Sequence, residues 1–258
     1  MTPFRNLLLL SLSLSFGCFE NVEEGDKNNN SDDPNADDDG DGLTNGEEAD
    51  IGTDPNSPDS DEDGLMDGDE REWGSDPLNM FSWPGDGIWP DRSGYAADDG
   101  IVGTTLAVGE TFPDFTTFDQ KGNDVALYQF YGSVVLLDLS AVWCPPCNDV
   151  AEDAAEVWET YRNDGFVIIH AMTGDNQNNP PSVEVLERWA YVYGLDFPVL
   201  GGDVPDNIFG AAMGAGLNPN GSIPFFILLD QNMKIAKTYI GGGQDNVILA
   251  DVATMLGL

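Results

Sequence analysis

Cys144 and Cys147, in Trp143-Cys144-Pro145-Pro146-Cys147, have the side chains and spacing for dithiol–disulfide chemistry. The apolar run Val134-Val135-Leu136-Leu137-Asp138-Leu139 precedes them and reads as a buried strand. Asn148 to Arg162 follows, with Ala, Glu and Val at helical spacing. The pair therefore falls at a strand-to-helix turn, with Cys144 at the helix N-terminus. Unpaired backbone N–H groups and the helix dipole favour a thiolate there. Such a thiolate can attack a partner's disulfide, and the second cysteine can resolve the mixed disulfide. CxxC also serves zinc sites and structural bridges. Zinc takes four ligands, and beyond this pair the one histidine, His170, is the only good nitrogen donor. A bridge across two residues closes a very small loop and stabilises little. Redox chemistry leads; an inert bridge and a metal site are the alternatives.

A second set of chemical residues is made of carboxylates. Asp37, Asp39 and Asp41, with Leu43, Asn45 and Glu48, recur 22 residues later as Asp59, Asp61 and Asp63, with Leu65, Asp67 and Glu70. Both stretches obey D-x-D-x-D-G-x5-E. Carboxylates at positions 1, 3 and 5 converge on a cation, and glycine at position 6 permits the sharp turn. The carbonyl of position 7 adds an oxygen, position 9 binds through water, and the terminal Glu supplies two oxygens. The alternative is a merely solvated acidic run. Gly52-Thr53-Asp54-Pro55 and Gly74-Ser75-Asp76-Pro77 extend the repeat. Loops so closely spaced leave no room for long EF-hand helices. The segment resembles the thrombospondin type 3 repeats of bacterial surface proteins. The resemblance implies Ca2+ binding, little apolar core and a role as spacer, with affinity on the order of 10⁻⁴–10⁻³ M.

The chain has 258 residues with 9 basic and 47 acidic side chains, a net charge of −38. That charge excludes nucleic acid as a natural partner. It is concentrated: 27 of the acids lie between Glu20 and Asp99, against Lys27, Arg71 and Arg92. At the N-terminus, Arg5 precedes the apolar stretch Leu7 to Phe16, too short to span a bilayer and suited to a cleaved signal. Leu14-Ser15-Phe16-Gly17-Cys18 resembles a bacterial lipobox, with Ser15 where Leu is usual. The resemblance implies lipidation of Cys18, membrane attachment through that lipid, and export to the cell envelope, in the periplasm or at the outer membrane or surface. The alternative is an ordinary signal with Cys18 an incidental thiol. The expected organisation is a signal peptide at 1–18, an acidic disordered tether at 19–34, calcium repeats at 35–80, an irregular linker at 81–103, and an α/β domain at 104–258.

Within the last segment, Phe112–Phe115 and Val125–Leu127 read as short strands, and Val134–Leu139 and Phe166–Met172 as central ones. Val183–Tyr193 reads as a helix and Phe197–Leu200 as a strand. Pro224–Asp230 and Lys234–Ile240 form a hairpin, and Asn246–Leu256 is a closing helix. Gly109-Glu110-Thr111-Phe112-Pro113-Asp114-Phe115, the Trp-Cys-Pro-Pro-Cys turn and Ile223-Pro224 before a strand resemble the TlpA-like branch of the thioredoxin superfamily. This implies a thioredoxin-like α/β fold, a central mixed sheet flanked by helices, with an N-terminal hairpin extension. It further implies Cys144 as exposed nucleophile, Cys147 as buried resolving thiol, Trp143 as shield, and Pro224 as a cis-proline facing the pair. The backbone of Ile223 is then left to pair with an extended substrate. No organic cofactor is implied. The partners implied are exported proteins bearing disulfides or dithiols, and an envelope thiol protein that donates electrons.

Asp138, six residues before Cys144, stands where thioredoxins keep a buried Asp; it is a candidate base for Cys147, the alternative being a strand-end Asp satisfied by solvent. His170 reads as a strand histidine without a role. Two other functions compete: a thiol peroxidase, although Ala141-Val142-Trp143 lacks the Pro and Thr or Ser such sites need, and a calcium-dependent surface adhesion module.

Overall fold

In a computed structural model, residues 33–258 are described. The signal-like segment, Cys18 and the tether as far as residue 32 lie outside the described residues. Asp33 and Pro34 already belong to the first repeat: Asn45 Nδ2 donates to the Asp33 carbonyl, and Gly46 N to that of Pro34.

The strand β3 (Val134–Ala141) is buried along all eight residues, as its continuous apolar run requires of a strand covered on both faces. β4 (Phe166–Gly174) pairs with it in parallel, and β5 (Val199–Leu200) extends that side. On the other side β6 (Phe225–Leu229) and β7 (Ile235–Ile240) are antiparallel, giving the order β5-β4-β3-β6-β7. This is the mixed sheet of a thioredoxin-like α/β fold. β1 (Thr116–Phe118) and β2 (Asp124–Ala126) form the separate N-terminal hairpin. Phe112–Phe115, predicted as a strand, is not one. Thr111 makes only an isolated bridge to Lys234, and Phe112 is held by its buried ring, 1% exposed, which favours an irregular path into the core.

The helix α4 (Pro145–Tyr161) buries Cys147, Ala151, Ala154 and Trp158, a stripe at helical spacing facing the sheet. α5 (Val183–Tyr193) buries Leu186, Trp189 and Ala190, and α6 (Val204–Gly214) packs on β4. α6 has no counterpart among the predicted elements. α7 (Asp245–Leu256) closes the chain, and its Ile248 meets β3, β4, β6 and α4 around one cavity.

The repeats carry two seven-residue helices, α1 (Asn45–Ile51) and α2 (Asp67–Trp73). Residues 81–103, read from sequence as an irregular linker, are packed and include α3 (Ser93–Asp98). Trp83 is 1% exposed and Ala96 fully buried, both within the apolar core. The described residues, 33–258, fall in one compact unit, so the repeats are part of the body that holds the cysteines.

Candidate active site and cation loops

Cys144 and Cys147 are joined in a disulfide, with Cα atoms 5.3 Å apart. Cys144 is the N-cap of α4, and its Sγ accepts from Cys147 N at 3.3 Å. Pro145 and Pro146 occupy the first turn, where proline's fixed φ suits a helix and no N–H is left unpaired. The Ile223–Pro224 bond is cis, and Cys144 Sγ lies 3.9 Å from Ile223 O. Cys144, expected to be exposed, is only 3% exposed against 0% for Cys147. Sulfur tied into the bridge packs with Ala141 and Ile223 instead of facing solvent. Trp143 does face solvent, at 48% exposed, and its Nε1 donates to Asn178 Oδ1 at 3.1 Å. Asn148 Nδ2 donates to Cys144 O at 2.6 Å, while Asn148 Oδ1 accepts from Tyr193 Oη. Asn178 and Tyr193 come from distant segments, and nothing local in the sequence marks them.

Beneath the same face of α4, Asp138 is 1% exposed. Its Oδ1 accepts from Ser140 Oγ at 2.6 Å, and Oδ2 lies 3.3 Å from His170 Nε2. The β3–β4 register sets Asp138 directly opposite His170. Trp189 Nε1 donates to His170 Nδ1 at 3.3 Å, so the neutral ring carries its proton on Nε2, while Asp138 Oδ2 is buried without a hydrogen-bond partner. Burial pushes Asp138 up to about 7, with Ser140 opposing, and pushes His170 down to about 3. Both residues line a cavity of about 50 Å³, together with Val150, Asp153 and Ala154 of α4 and Asp245 of α7. His170, read from sequence as having no role, is thus the immediate neighbour of the candidate base.

A model of the redoxin family matches residues 107–256, more than half of the chain. The chain belongs to the redoxin family. Its redoxin domain is 30% identical over 138 residues to "Thiol-disulfide oxidoreductase ResA" of Geobacillus thermodenitrificans, covering 54% of this chain and 72% of that one. The ResA of Halalkalibacterium halodurans is 26% identical over 140 residues, with 54% and 72% covered. Among solved structures, a putative thiol:disulfide interchange protein DsbE from Chlorobium tepidum aligns with a TM-score of 0.46 at 21% identity, covering 59% of this chain and 100% of that one. With its CxxC disulfide at the head of α4, the redoxin domain is a thiol–disulfide oxidoreductase.

Residues 37–58 and 59–79 each match the bacterial TSP3 repeat. In both loops the three aspartates at positions 1, 3 and 5 bring carboxylate oxygens within 4.8 Å of one another. The same carboxylates fold the loop: Asp59 accepts from Glu62 N through Oδ1 and from Gly64 N through Oδ2, Asp61 Oδ1 from Asp63 N, and Asp63 Oδ1 from Leu65 N. Asp37, Asp39 and Asp41 do the same in the first loop. Asp39 Oδ2, Asp61 Oδ2, Asp63 Oδ2 and both carboxylate oxygens of Glu48 and Glu70 are buried without hydrogen-bond partners. Glu48 and Glu70 are fully buried. Burial first, then repulsion from neighbouring aspartates, raises Glu48 to about 7 and Glu70 to about 8. Three clustered aspartates in each loop, with a buried and unpartnered glutamate carboxylate in the same repeat, fit a hard divalent cation such as Ca2+. The position-9 residues are otherwise engaged. Asn45 Oδ1 accepts from Asp38 N, and the Asp67 carboxylate takes both N and Oγ of Ser60. Both side chains brace their loops through these bonds.

Proposed function

We propose that the chain reduces disulfides in exported proteins, from a lipid anchor at Cys18 in the cell envelope. The cysteine pair at the head of α4, facing Ile223-Pro224, carries this reading. In the reduced protein the Cys144 thiolate attacks a partner disulfide, forming a mixed disulfide and releasing one partner thiolate. Cys147 then gives its proton to Asp138 and attacks Cys144 Sγ. The second partner thiolate leaves, and the Cys144–Cys147 disulfide remains. Two electrons pass to the partner, and an envelope dithiol protein must restore them.

Trp143 shields one side of the pair, and the Ile223 backbone receives the extended partner segment. Asp37, Asp39, Asp41, the Leu43 carbonyl and Glu48 would hold one Ca2+; Asp59, Asp61, Asp63, the Leu65 carbonyl and Glu70 would hold a second. Ala141-Val142-Trp143 ahead of Cys144 offers neither the proline nor the hydroxyl of a peroxidatic site, which favours disulfides over peroxide as substrate. Equilibration of the Cys144–Cys147 couple with glutathione or dithiothreitol tests the direction. A potential near about −250 mV or lower supports a reductase, whereas about −120 to −180 mV would make the protein an oxidant or isomerase.

A further inference from the structure

The two matched repeats share a backbone signature that recurs a third time. In the first loop Gly40 and Gly42 are left-handed (φ 84° and 99°), flanking Asp41; in the second, Glu62 and Gly64 (64° and 95°) flank Asp63. Gly85 and Gly87 (78° and 95°) flank Asp86, which unlike Asp41 and Asp63 is itself left-handed (52°). Each turn is followed by an apolar residue, Leu43, Leu65 and Ile88; α1 and α2 begin two residues later, and α3 begins after a longer connection, at Ser93. Each helix ends on a bond of the kind that also closes α5, α6 and α7. Thr53 N donates to Glu48 O, Ser75 N to Glu70 O, and Ile101 N to Ala96 O.

The three carbonyl-bearing residues are fully buried. Counted from the glycine pair, the position that Glu48 and Glu70 hold in the loops is Ser93, and Ala96 lies three residues beyond it, so the third turn has no carboxylate there. Counted back from the glycine pair, positions 1 and 3 of the third turn are Ser82 and Pro84. Asp86, at position 5, turns outward to pair with Lys121 at 2.6 Å.

We infer that residues 82–101 are a third repeat unit without a cation, rebuilt as the joint through which calcium in the second loop holds the redoxin domain rigid. Toward the domain, the unit buries Trp83 and Ala96. Trp89 Nε1 donates to Asp119 Oδ2 at 2.8 Å, Arg92 N to Gln129 O at 3.0 Å, and Gln129 Nε2 to Pro90 O at 3.1 Å. Gln129 lies in the turn Leu127–Phe130 that leads into β3, the strand ending at the cysteines. Toward the second loop, Asp91 N donates to Asp63 O at 2.8 Å and Arg92 Nη1 to Glu62 O at 2.9 Å. Gly64 lets the chains approach: a Cβ there would lie 3.0 Å from Asp91 O. One dipeptide, Asp91-Arg92, therefore bonds both the backbone of the second loop and the turn ahead of β3. Among the described residues outside its own repeat, the first loop hydrogen-bonds to the second repeat, where Gly68 N donates to Asp41 Oδ2 at 3.0 Å.

This inference rests on calcium occupying the two loops. It is tested on the full oxidised chain by calorimetric titration with CaCl2 and by hydrogen exchange with and without calcium. Two ions per chain are expected. At calcium about 100 times Kd, amides of Leu127–Phe130 and residues 82–92 that open together with the second loop should exchange up to about 100-fold more slowly. Glu70→Gln should abolish that protection, and Glu48→Gln should leave it in place. Three ions per chain would overturn the cation-free third unit. Protection confined to residues 37–70, or lost equally in both variants, would overturn the joint. Absence of any calcium binding would overturn the calcium reading itself, and the inference with it.

Discussion

Between pH 4.5 and 6.0 the Asp138–His170 pair should leave wild-type stability nearly level, while substituting either member should tilt it, in opposite directions. Burial raises Asp138 from 3.8 to about 7 and lowers His170 from 6.5 to about 3. In this window the folded pair holds one proton, on Asp138, and the unfolded pair also holds one, on His170. Equal proton counts give no slope. In the Asp138→Asn variant only His170 titrates, and the unfolded chain binds a proton that the folded one does not. Stability then rises with pH, by up to about 1.4 kcal/mol per unit. In His170→Phe only Asp138 remains, protonated when folded and ionised when unfolded. Its contribution is complete below about pH 3.8 and lost as pH rises to about 7. From pH 4.5 to 6.0 each variant should drift from wild type by about 2 kcal/mol, the Asn variant upward and the Phe variant downward. Urea unfolding of the oxidised proteins at several pH values, in constant excess calcium, measures this. Carboxylates of the distant repeats titrate alike in all three proteins and drop out of the differences. Three parallel curves would refute the buried, oppositely shifted pair.

Two substitutions test the packing around the site. Trp83→Ala removes an indole that is 1% exposed in the core beside Phe130, and should lower stability by about 3–5 kcal/mol by denaturant unfolding. A loss under about 1 kcal/mol would mean that residues 81–103 are only loosely applied to the redoxin domain. Gly68→Ala places a Cβ 2.3 Å from Asp41 O, so the second helix must move off the first loop. Calorimetry should then show calcium binding at the first loop weakened by about tenfold or more while the second persists, since Asp41, the proposed ligand there, also accepts from Gly68 N.

Most of the sheet was legible in the sequence because β3, β4 and β6 are continuous apolar runs, and the pattern that marks a fully buried strand is local. The CxxC turn was legible for the same reason: strand, turn and helix are contiguous. α6 was not, because Val204–Gly214 mixes Pro, Gly and Ala without a clear apolar stripe, and only contact with β4 makes it a helix. Phe112–Phe115 misled in the opposite sense, its aromatic residues being there to fill the core and not to pair with a strand. The third repeat unit was hidden because its kinship with the other two lies in a pair of left-handed residues and the short helix after them, while two of the three aspartates that made the first two readable are replaced by Ser82 and Pro84. Gly and Pro in such a stretch look like a linker.

The division between legible and hidden follows the chemistry. The reacting sulfurs are set by five adjacent residues, so a motif reveals them. What adjusts them comes from elsewhere in the chain: Asn178 on Trp143, Tyr193 through Asn148 on the Cys144 carbonyl, and Trp189 through His170 on Asp138. The last of these matters most for the resolving step. Trp189 occupies Nδ1 of the imidazole, so Nε2 must carry the neutral ring's proton, 3.3 Å from an oxygen of the carboxylate that would accept from Cys147. A proton arriving on Asp138 therefore meets a neutral ring and not a cation. Burial holds the pair neutral, with Asp138 protonated beside the neutral ring, and a value near 7 leaves the carboxyl ionisable. A proton from Cys147 can go only to the ionised carboxylate, and taking it removes the one charge that burial disfavours, the condition under which a carboxylate can stay behind a resolving thiol.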